Sequence, residues 1–312
     1  MKIVFYSPGK KWQPWLDSLA ANLPSAEIWA WSPQLADRQA EYAVVWAPPA
    51  ELFAQQRNLK AVFNIGAGAD RVLRIPDVER LLKDVPVVRL NDAGMAVQMA
   101  EYVCHALFRH TREFAAYEAH QRDKIWKTLP ALDRAKWPVG VMGLGAIGTR
   151  VAEAVAGFDY PVNGWSRTPK QLAGVATYAG AEQLDLFLAA TRVLVCVLPL
   201  TPATDGILNI GALSKLQLNS ILINVARGEH LVEGDLLALL ANGHLAGATL
   251  DVFREEPLPP GHAFWGHPRI TLTPHIAAIT LVEESAAQIA QKIRALESGQ
   301  LIDGVVDRNR GY

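Results

Sequence analysis

Val139-Gly-Val-Met-Gly-Leu-Gly-Ala-Ile-Gly148 is the stretch that decides the fold. Val139–Met142 is a short apolar run with the character of a buried strand. The glycines at 143, 145 and 148 interrupt it, and Ile147, Val151, Val155 and Phe158 then follow at helical spacing. Gly-x-Gly-x-x-Gly alone is weak, because chance gives roughly a one-in-ten match in a chain this long. Between a strand and an amphipathic helix it opens a dinucleotide-binding unit: the glycines allow the tight turn, the approach of backbone to a pyrophosphate and close helix packing. The helix N-terminus adds partial positive charge. Gly143, Gly145, Ala146, Ile147 and Gly148 are therefore candidate cofactor contacts.

Working outward, Val162–Trp165, Val193–Leu198, Ile221–Val225 and Ala248–Val252 continue the series downstream as near-continuous apolar strands, the pattern of a parallel sheet covered on both faces. Upstream, Lys2–Tyr6, Tyr42–Trp46, Ala61–Ile65 and Val85–Leu90 alternate with helical segments and imply a second parallel sheet. Ala93 to about Ile125 reads as one long helix, with Asn91-Asp92 as capping candidates. Thr280-Leu-Val-Glu283 has capping-box spacing. Val282, Ala286, Ile289, Ile293 and Leu296 form a helical stripe, and Gly299 supplies a stop. This last helix returns the chain to the first lobe. The expectation is an α/β protein of two doubly wound, Rossmann/flavodoxin-like parallel-sheet lobes joined by two helices, with the active site in the cleft between them. Residues 1–98 and 281–312 would form a substrate-binding domain and residues 99–280 a dinucleotide-binding domain.

The 312 residues, half of them hydrophobic and a fifth charged, suit a two-domain globular protein. A net charge of -1 gives no electrostatic footprint for nucleic acid or an anionic membrane. No apolar stretch approaches the roughly 18 to 20 residues of a spanning helix, and the opening residues read as a first strand rather than a signal peptide. Cys104 and Cys196 sit in apolar surroundings, as core thiols of a reducing cytoplasm do.

The second strand of the dinucleotide unit bears on which dinucleotide binds. An NAD site places an acid at its end, about 20 residues after the glycines, to accept from the ribose 2′-OH. Here the strand ends Trp165-Ser-Arg-Thr-Pro-Lys170, without an acid. Arg167, with the hydroxyls of Ser166 and Thr168, is suited instead to a 2′-phosphate. The expected cofactor is NADP(H), with NAD(H) weaker.

Three further segments, Asn224-Val-Ala-Arg227-Gly, Glu255-Glu256-Pro and Thr273-Pro-His275, lie downstream of the glycine loop. An arginine for a carboxylate, a histidine for a proton and an acid to tune the histidine are what reduction of a small oxo acid needs. With these, Gly66-Ala-Gly-Ala-Asp70, Leu198-Pro-Leu-Thr-Pro-Ala-Thr204, Leu250-Asp-Val-Phe-Arg-Glu-Glu-Pro257 and Thr273-Pro-His-Ile-Ala-Ala278 make the chain resemble the D-isomer-specific 2-hydroxyacid dehydrogenases over essentially its whole length. Within that family it is most similar to the bacterial NADPH-preferring glyoxylate/hydroxypyruvate reductases. The resemblance implies reduction of glyoxylate to glycolate and of hydroxypyruvate to D-glycerate.

By the same resemblance Arg227 pairs with the substrate carboxylate and polarises the ketone, His275 donates the proton, and Glu256 hydrogen-bonds the imidazole. The loop around Gly66, Ala67 and Gly68 grips the carboxylate through backbone N–H groups. Pro199, Thr204, Ala226 and Asp251 lie along the cofactor. Trp46, at a strand end, either caps a small substrate pocket or packs in the core. The resemblance also implies a homodimer built on the 93–125 helix. No metal site is expected. His105 and His110 are five apart on that helix, the wrong spacing for one face, and His262 and His267 shape a Pro-rich loop.

Two positions depart from the commonest family pattern: the missing acid after the second strand, and Ala277-Ala278 where many members have Gly-Gly. Another small 2-oxo acid is the rival substrate. A nucleotide-sensing corepressor on the same scaffold is the rival from another class. It needs no proton donor, and the complete Arg227, Glu256 and His275 set argues against it.

Overall fold

The computed structural model describes residues 1–9, 12–35 and 37–312. They form two compact units, Met1–Gly94 with Thr280–Tyr312, and Met95–Ile279. Each is built on its own parallel sheet.

In the second unit the strands are β6 (Val139–Met142), β7 (Val162–Ser166), β8 (Val175–Ala179), β9 (Val193–Cys196), β10 (Ser220–Asn224), β11 (Leu245–Leu250) and β12 (Ile270–Leu272). Their order is β12-β11-β10-β9-β6-β7-β8, the doubly wound Rossmann arrangement. Alternation along the strands explains burial on both faces. Val139, Val141, Val193, Val195, Ile221 and Ile223 pack with Met99, Val103 and Leu107 of the helix Met95–Thr111 and with Val151 and Val155 of the helix Ala146–Ala156. Met142, Leu194, Cys196 and Leu222 face the other way, toward Leu236, Leu239, Leu240 and Phe264. Both thiols are free and buried, and burial pushes that of Cys196 up to about 12. The order of strand addition reverses between β6 and β9, so the glycine turn after β6 opens at the switch point, where such sheets bind ligands.

In the first unit the strands are β1 (Lys2–Tyr6), β2 (Glu27–Ala30), β3 (Tyr42–Val45), β4 (Ala61–Asn64) and β5 (Val87–Arg89), in the flavodoxin-like order β2-β1-β3-β4-β5. Val4, Ala43, Val45, Val62 and Val87 build one core face with Leu52 and Phe53. The helix Val282–Glu297 belongs to this unit, burying Ala286, Ile289, Ala290 and Ile293. Gly299 follows its end at φ +68, as a stop residue should. Among the described residues no helix is long and apolar enough to cross a membrane.

Several local expectations are corrected. The long helix is two, Met95–Thr111 and Phe114–Arg122, separated by Glu113 in the left-handed region at φ +52. Thr111 ends the first: its hydroxyl donates back to the Leu107 carbonyl and pairs with the Tyr160 hydroxyl, each at 2.9 Å. The second helix buries no residue, so no packing face carries the first one onward. Asn91 lies four residues before the helix start at Met95, outside the N-cap position, and its amide donates to Asp303.

Thr280 does not form a capping box. The helix begins after Leu281 with no side-chain cap, and the Thr280 hydroxyl donates to the Ile65 carbonyl at 3.1 Å. Glu283 and Glu284 in the first turn complement the dipole instead. Phe158 lies past the end of its helix, half-exposed, edge-on to Phe108.

Candidate active site

The glycine turn has three different constraints. Gly143 sits at φ +112, and a Cβ there would come within 2.9 Å of the Val197 carbonyl oxygen. A Cβ on Gly148 would lie 1.7 Å from the Gly143 carbonyl oxygen, so the helix can approach the turn only without one. Around Gly145 nothing lies within 4 Å of the Cβ position. Gly145 is also the N-cap of the helix that starts with Ala146 and Ile147, and that helix has neither a side-chain cap nor an acid in its first turn. An open glycine followed by uncompensated amides fits an incoming pyrophosphate.

β7 ends in Ser166, whose buried hydroxyl donates to the Thr168 carbonyl at 2.8 Å and so shapes its own turn rather than pointing a donor outward. Arg167 and Thr168 are exposed beyond it. Lys170 reaches back and donates to the Leu144 carbonyl in the glycine turn. In the sequence this lysine carries no signal beyond its place in the run Trp165–Lys170.

β9 runs into Pro199. The Thr204 hydroxyl donates to the Pro199 carbonyl at 2.8 Å and accepts from the Thr201 amide at 2.9 Å, closing this loop on itself. β10 leads to Arg227. Buried Asn224 donates to the Arg227 carbonyl at 2.9 Å and accepts from the Ala226 amide at 3.2 Å, which fixes the turn. Arg227 is extended and half-buried, and its Nη1 donates to the Ala226 carbonyl at 2.7 Å.

Gly228 carries the turn against the segment after β11. A Cβ there would lie 1.9 Å from the Phe253 carbonyl carbon. The Phe253 amide in turn donates to Glu256 Oε1 at 3.1 Å. Glu256 Oε2 meets His275 Nδ1 at 2.9 Å. An unbroken chain of contacts thus runs from the Arg227 turn to the imidazole.

His275 has φ +56, an uncommon conformation for a side-chain-bearing residue, and its surroundings over-determine it. Its amide donates to the Asp251 carbonyl at 2.8 Å. The Asp251 carboxylate, 1 % exposed, accepts from the Ile276 and Ala277 amides, both at 2.8 Å, and from the Thr273 hydroxyl at 2.6 Å. Tyr102 from the helix Met95–Thr111 bonds that hydroxyl in turn. Asp251, expected along the cofactor, also holds the histidine turn. Ala277, which takes part in this grip, is buried.

Three of the other histidines have structural partners. His262 pairs with Glu233 at 3.2 Å, His267 accepts from the Arg269 amide at 3.2 Å, and His110 meets Thr249 at 3.1 Å. Burial holds His110 down to about 4.

In the first unit, Asn64 Nδ2 donates to the Gly66 and Gly68 carbonyls at 3.2 and 2.7 Å and so shapes the loop that includes Ala67. The Trp46 ring lies on Gly66, where a Cβ would come within 2.6 Å of its Cζ3. Trp46 is half-buried and packs on this loop.

The chain resembles known proteins along its entire length. It is 46% identical over 318 residues to "Glyoxylate/hydroxypyruvate reductase A" of Yersinia enterocolitica, with 100% of both chains covered. A crystal structure of a D-isomer specific 2-hydroxyacid dehydrogenase from Xanthobacter autotrophicus Py2, in complex with NADPH and MES, is 39% identical with a TM-score of 0.93, covering 100% of this chain and 99% of that one. The NADPH-dependent glyoxylate/hydroxypyruvate reductase of Sinorhizobium meliloti, in complex with NADP and sulfate, is 37% identical, also with a TM-score of 0.93 and the same coverage. Residues 104–277 match the family model "D-isomer specific 2-hydroxyacid dehydrogenase, NAD binding domain". The Rossmann sheet, its glycine turn and the Arg227-to-His275 chain of contacts lie in or beside that match, and the protein belongs to the D-isomer-specific 2-hydroxyacid dehydrogenase family.

Proposed function

We propose that this protein reduces glyoxylate to glycolate and hydroxypyruvate to D-glycerate with NADPH. The observation that carries the reading is the Glu256–His275 pair at 2.9 Å, in a turn fixed by Asp251 and joined through Phe253 to the Arg227 turn. NADPH, when bound, supplies the hydride that reduces the 2-oxo carbon. Gly143, Gly145 and Gly148 with the amides of Ala146 and Ile147 would hold its pyrophosphate, Arg167 its 2′-phosphate, and the Pro199–Thr204 loop and Ala226 would flank it. Lys170 adds a second cation to that region.

Arg227 is assigned to the substrate carboxylate, for which its planar fork is the right donor, with the amides of the Gly66–Gly68 loop as further donors. Because Glu256 engages Nδ1, the proton delivered to the carbonyl oxygen is the one on Nε2 of His275. Glu256 fixes that tautomer and orients the ring, as the carboxylate of a catalytic triad does in another reaction. The cytoplasm, with its reduced NADP pool, favours the reductive direction. A homodimer through the helix Met95–Thr111 and the segment after it fits the exposed Phe114, Tyr117, Ile125 and Trp126 there.

The test is NADPH oxidation followed by absorbance, over a panel of 2-oxo acids and with both nicotinamide cofactors. Glyoxylate and hydroxypyruvate are expected to be the best substrates. In His275→Ala, turnover should fall about 10²- to 10⁴-fold while NADPH binding is kept. Near-normal turnover in that variant overturns the mechanism.

A further inference from the structure

The mechanism above gives no role to His230, a histidine with 0% exposure two residues past Gly228. The ring lies between two backbones. The Arg227 amide donates to Nδ1 at 3.2 Å, and Nε2 lies 3.3 Å from the Pro199 carbonyl oxygen. The ring proton on Nε2 satisfies both contacts at once. Placed on Nδ1 it would face only the Arg227 carbonyl, at 3.1 Å, and both other groups would lose their bond. The Nε2–H tautomer is therefore the one the geometry selects. Burial also holds the imidazole below its usual range, which keeps it neutral and Nδ1 able to accept. Neighbouring backbone completes the junction: the Leu208 amide donates to the His230 carbonyl at 2.8 Å and the Gly206 amide to the Glu229 carbonyl at 2.9 Å.

We infer that His230 is a positioning residue whose ring ties the backbone of Arg227 to the Pro199–Thr204 loop, setting the substrate contact and the cofactor contact from one side chain. The inference rests on the proposed roles of Arg227 and of that loop. Its two bonds are made by different ring atoms, so they can be removed separately. In His230→Asn the amide oxygen takes the place of Nδ1 and nothing replaces Nε2. In His230→Gln the amide nitrogen takes the place of Nε2 and Nδ1 is lost.

His230→Asn should therefore keep the KM for glyoxylate within about twofold and raise that for NADPH about five- to tenfold, the effect of one neutral hydrogen bond. His230→Gln should do the reverse, and kcat at saturation should change less than either KM. Hydrogen exchange on the wild-type protein adds a readout that does not depend on a variant folding. The Arg227 amide should be protected there, protected in His230→Asn and exposed to exchange in His230→Gln. Equal changes of both KM values in the two variants, or an unprotected Arg227 amide in the wild type, overturn the proposal. Arg227→Ala separates it from the reading beneath it. An unchanged KM for glyoxylate in that variant removes the substrate role of Arg227, and the amide-exchange pattern still decides whether His230 makes the tie.

Discussion

Gly66-Ala-Gly68 in the first unit and Gly143-Leu-Gly-Ala-Ile-Gly148 in the second are both glycine turns at the carboxyl ends of parallel strands. What a side chain would meet in them differs. At Gly148 the obstacle is the Gly143 carbonyl oxygen at 1.7 Å, and at Gly143 it is the Val197 carbonyl oxygen at 2.9 Å. At Gly66 the obstacle is the far edge of the Trp46 ring, at 2.6 Å. Backbone cannot be trimmed by evolution or by mutagenesis, whereas a ring can. Gly143 and Gly148 are therefore committed to glycine by the main chain, while Gly66 is limited chiefly by one replaceable neighbour. A turn fixed by backbone keeps one shape, whereas a turn fixed by a ring can be reshaped by a substitution at Trp46.

The largest effect expected from this difference is at Gly148. Gly148→Ala should cost about 3 kcal/mol, the upper range for overpacking, and lower the melting temperature of the second unit by roughly 6 to 12 °C. No second substitution of a side chain should restore it. A near wild-type melting curve would mean that backbone contact does not dictate the turn.

Arg167→Ala comes next. The KM for NADPH should rise about ten- to a hundredfold and that for NADH far less, because only NADPH carries the phosphate that a charge-assisted bond would hold. Equal effects on both cofactors would remove Arg167 from that role. Glu256→Gln should be milder. It removes the negative charge beside His275 and keeps a hydrogen-bonding group, so kcat for glyoxylate reduction should fall about tenfold with both KM values near wild type. An unchanged kcat would leave Glu256 a structural neighbour only.

Smallest is Gly66→Ala, with a few-fold rise in the KM for glyoxylate, about 1 kcal/mol in overpacking terms, and no change in that for NADPH. Trp46→Leu in the same chain should reverse the rise by removing the ring. Failure of that reversal would put Gly66 in the same class as Gly148.

The parts of the fold legible in the sequence were those whose physics is local or repeated. β6, β9, β10 and β11 are buried on both faces, and so were apolar enough to read directly. β2, β8 and β12 carry no such signal. They are edge strands in which few residues are buried, so their pattern is mixed. The break at Glu113 and the loss of the capping box at Thr280 both depend on partners distant in sequence, Tyr160 and Ile65.

In the candidate site, the positions of Arg227, Glu256 and His275 were visible as motifs. The groups that hold them were not. Asn224 and Asp251 lie within quoted motifs, but their hydrogen bonds show only in the folded chain. Tyr102 and His230 carry no local signal, and only burial and partner geometry mark them.

The first unit is assembled from both ends of the described chain, Met1–Gly94 and Thr280–Tyr312, whereas the second is the single stretch Met95–Ile279. This sets an order on the ribosome. The second unit has every strand it needs once Ile279 has emerged. The first must wait, because Ile289 and Ile293 belong to its core and the Val306 amide donates to the Val87 carbonyl at 2.8 Å. Until translation reaches those residues, the nascent chain carries a complete dinucleotide unit attached to a five-stranded sheet that still lacks the helix Val282–Glu297.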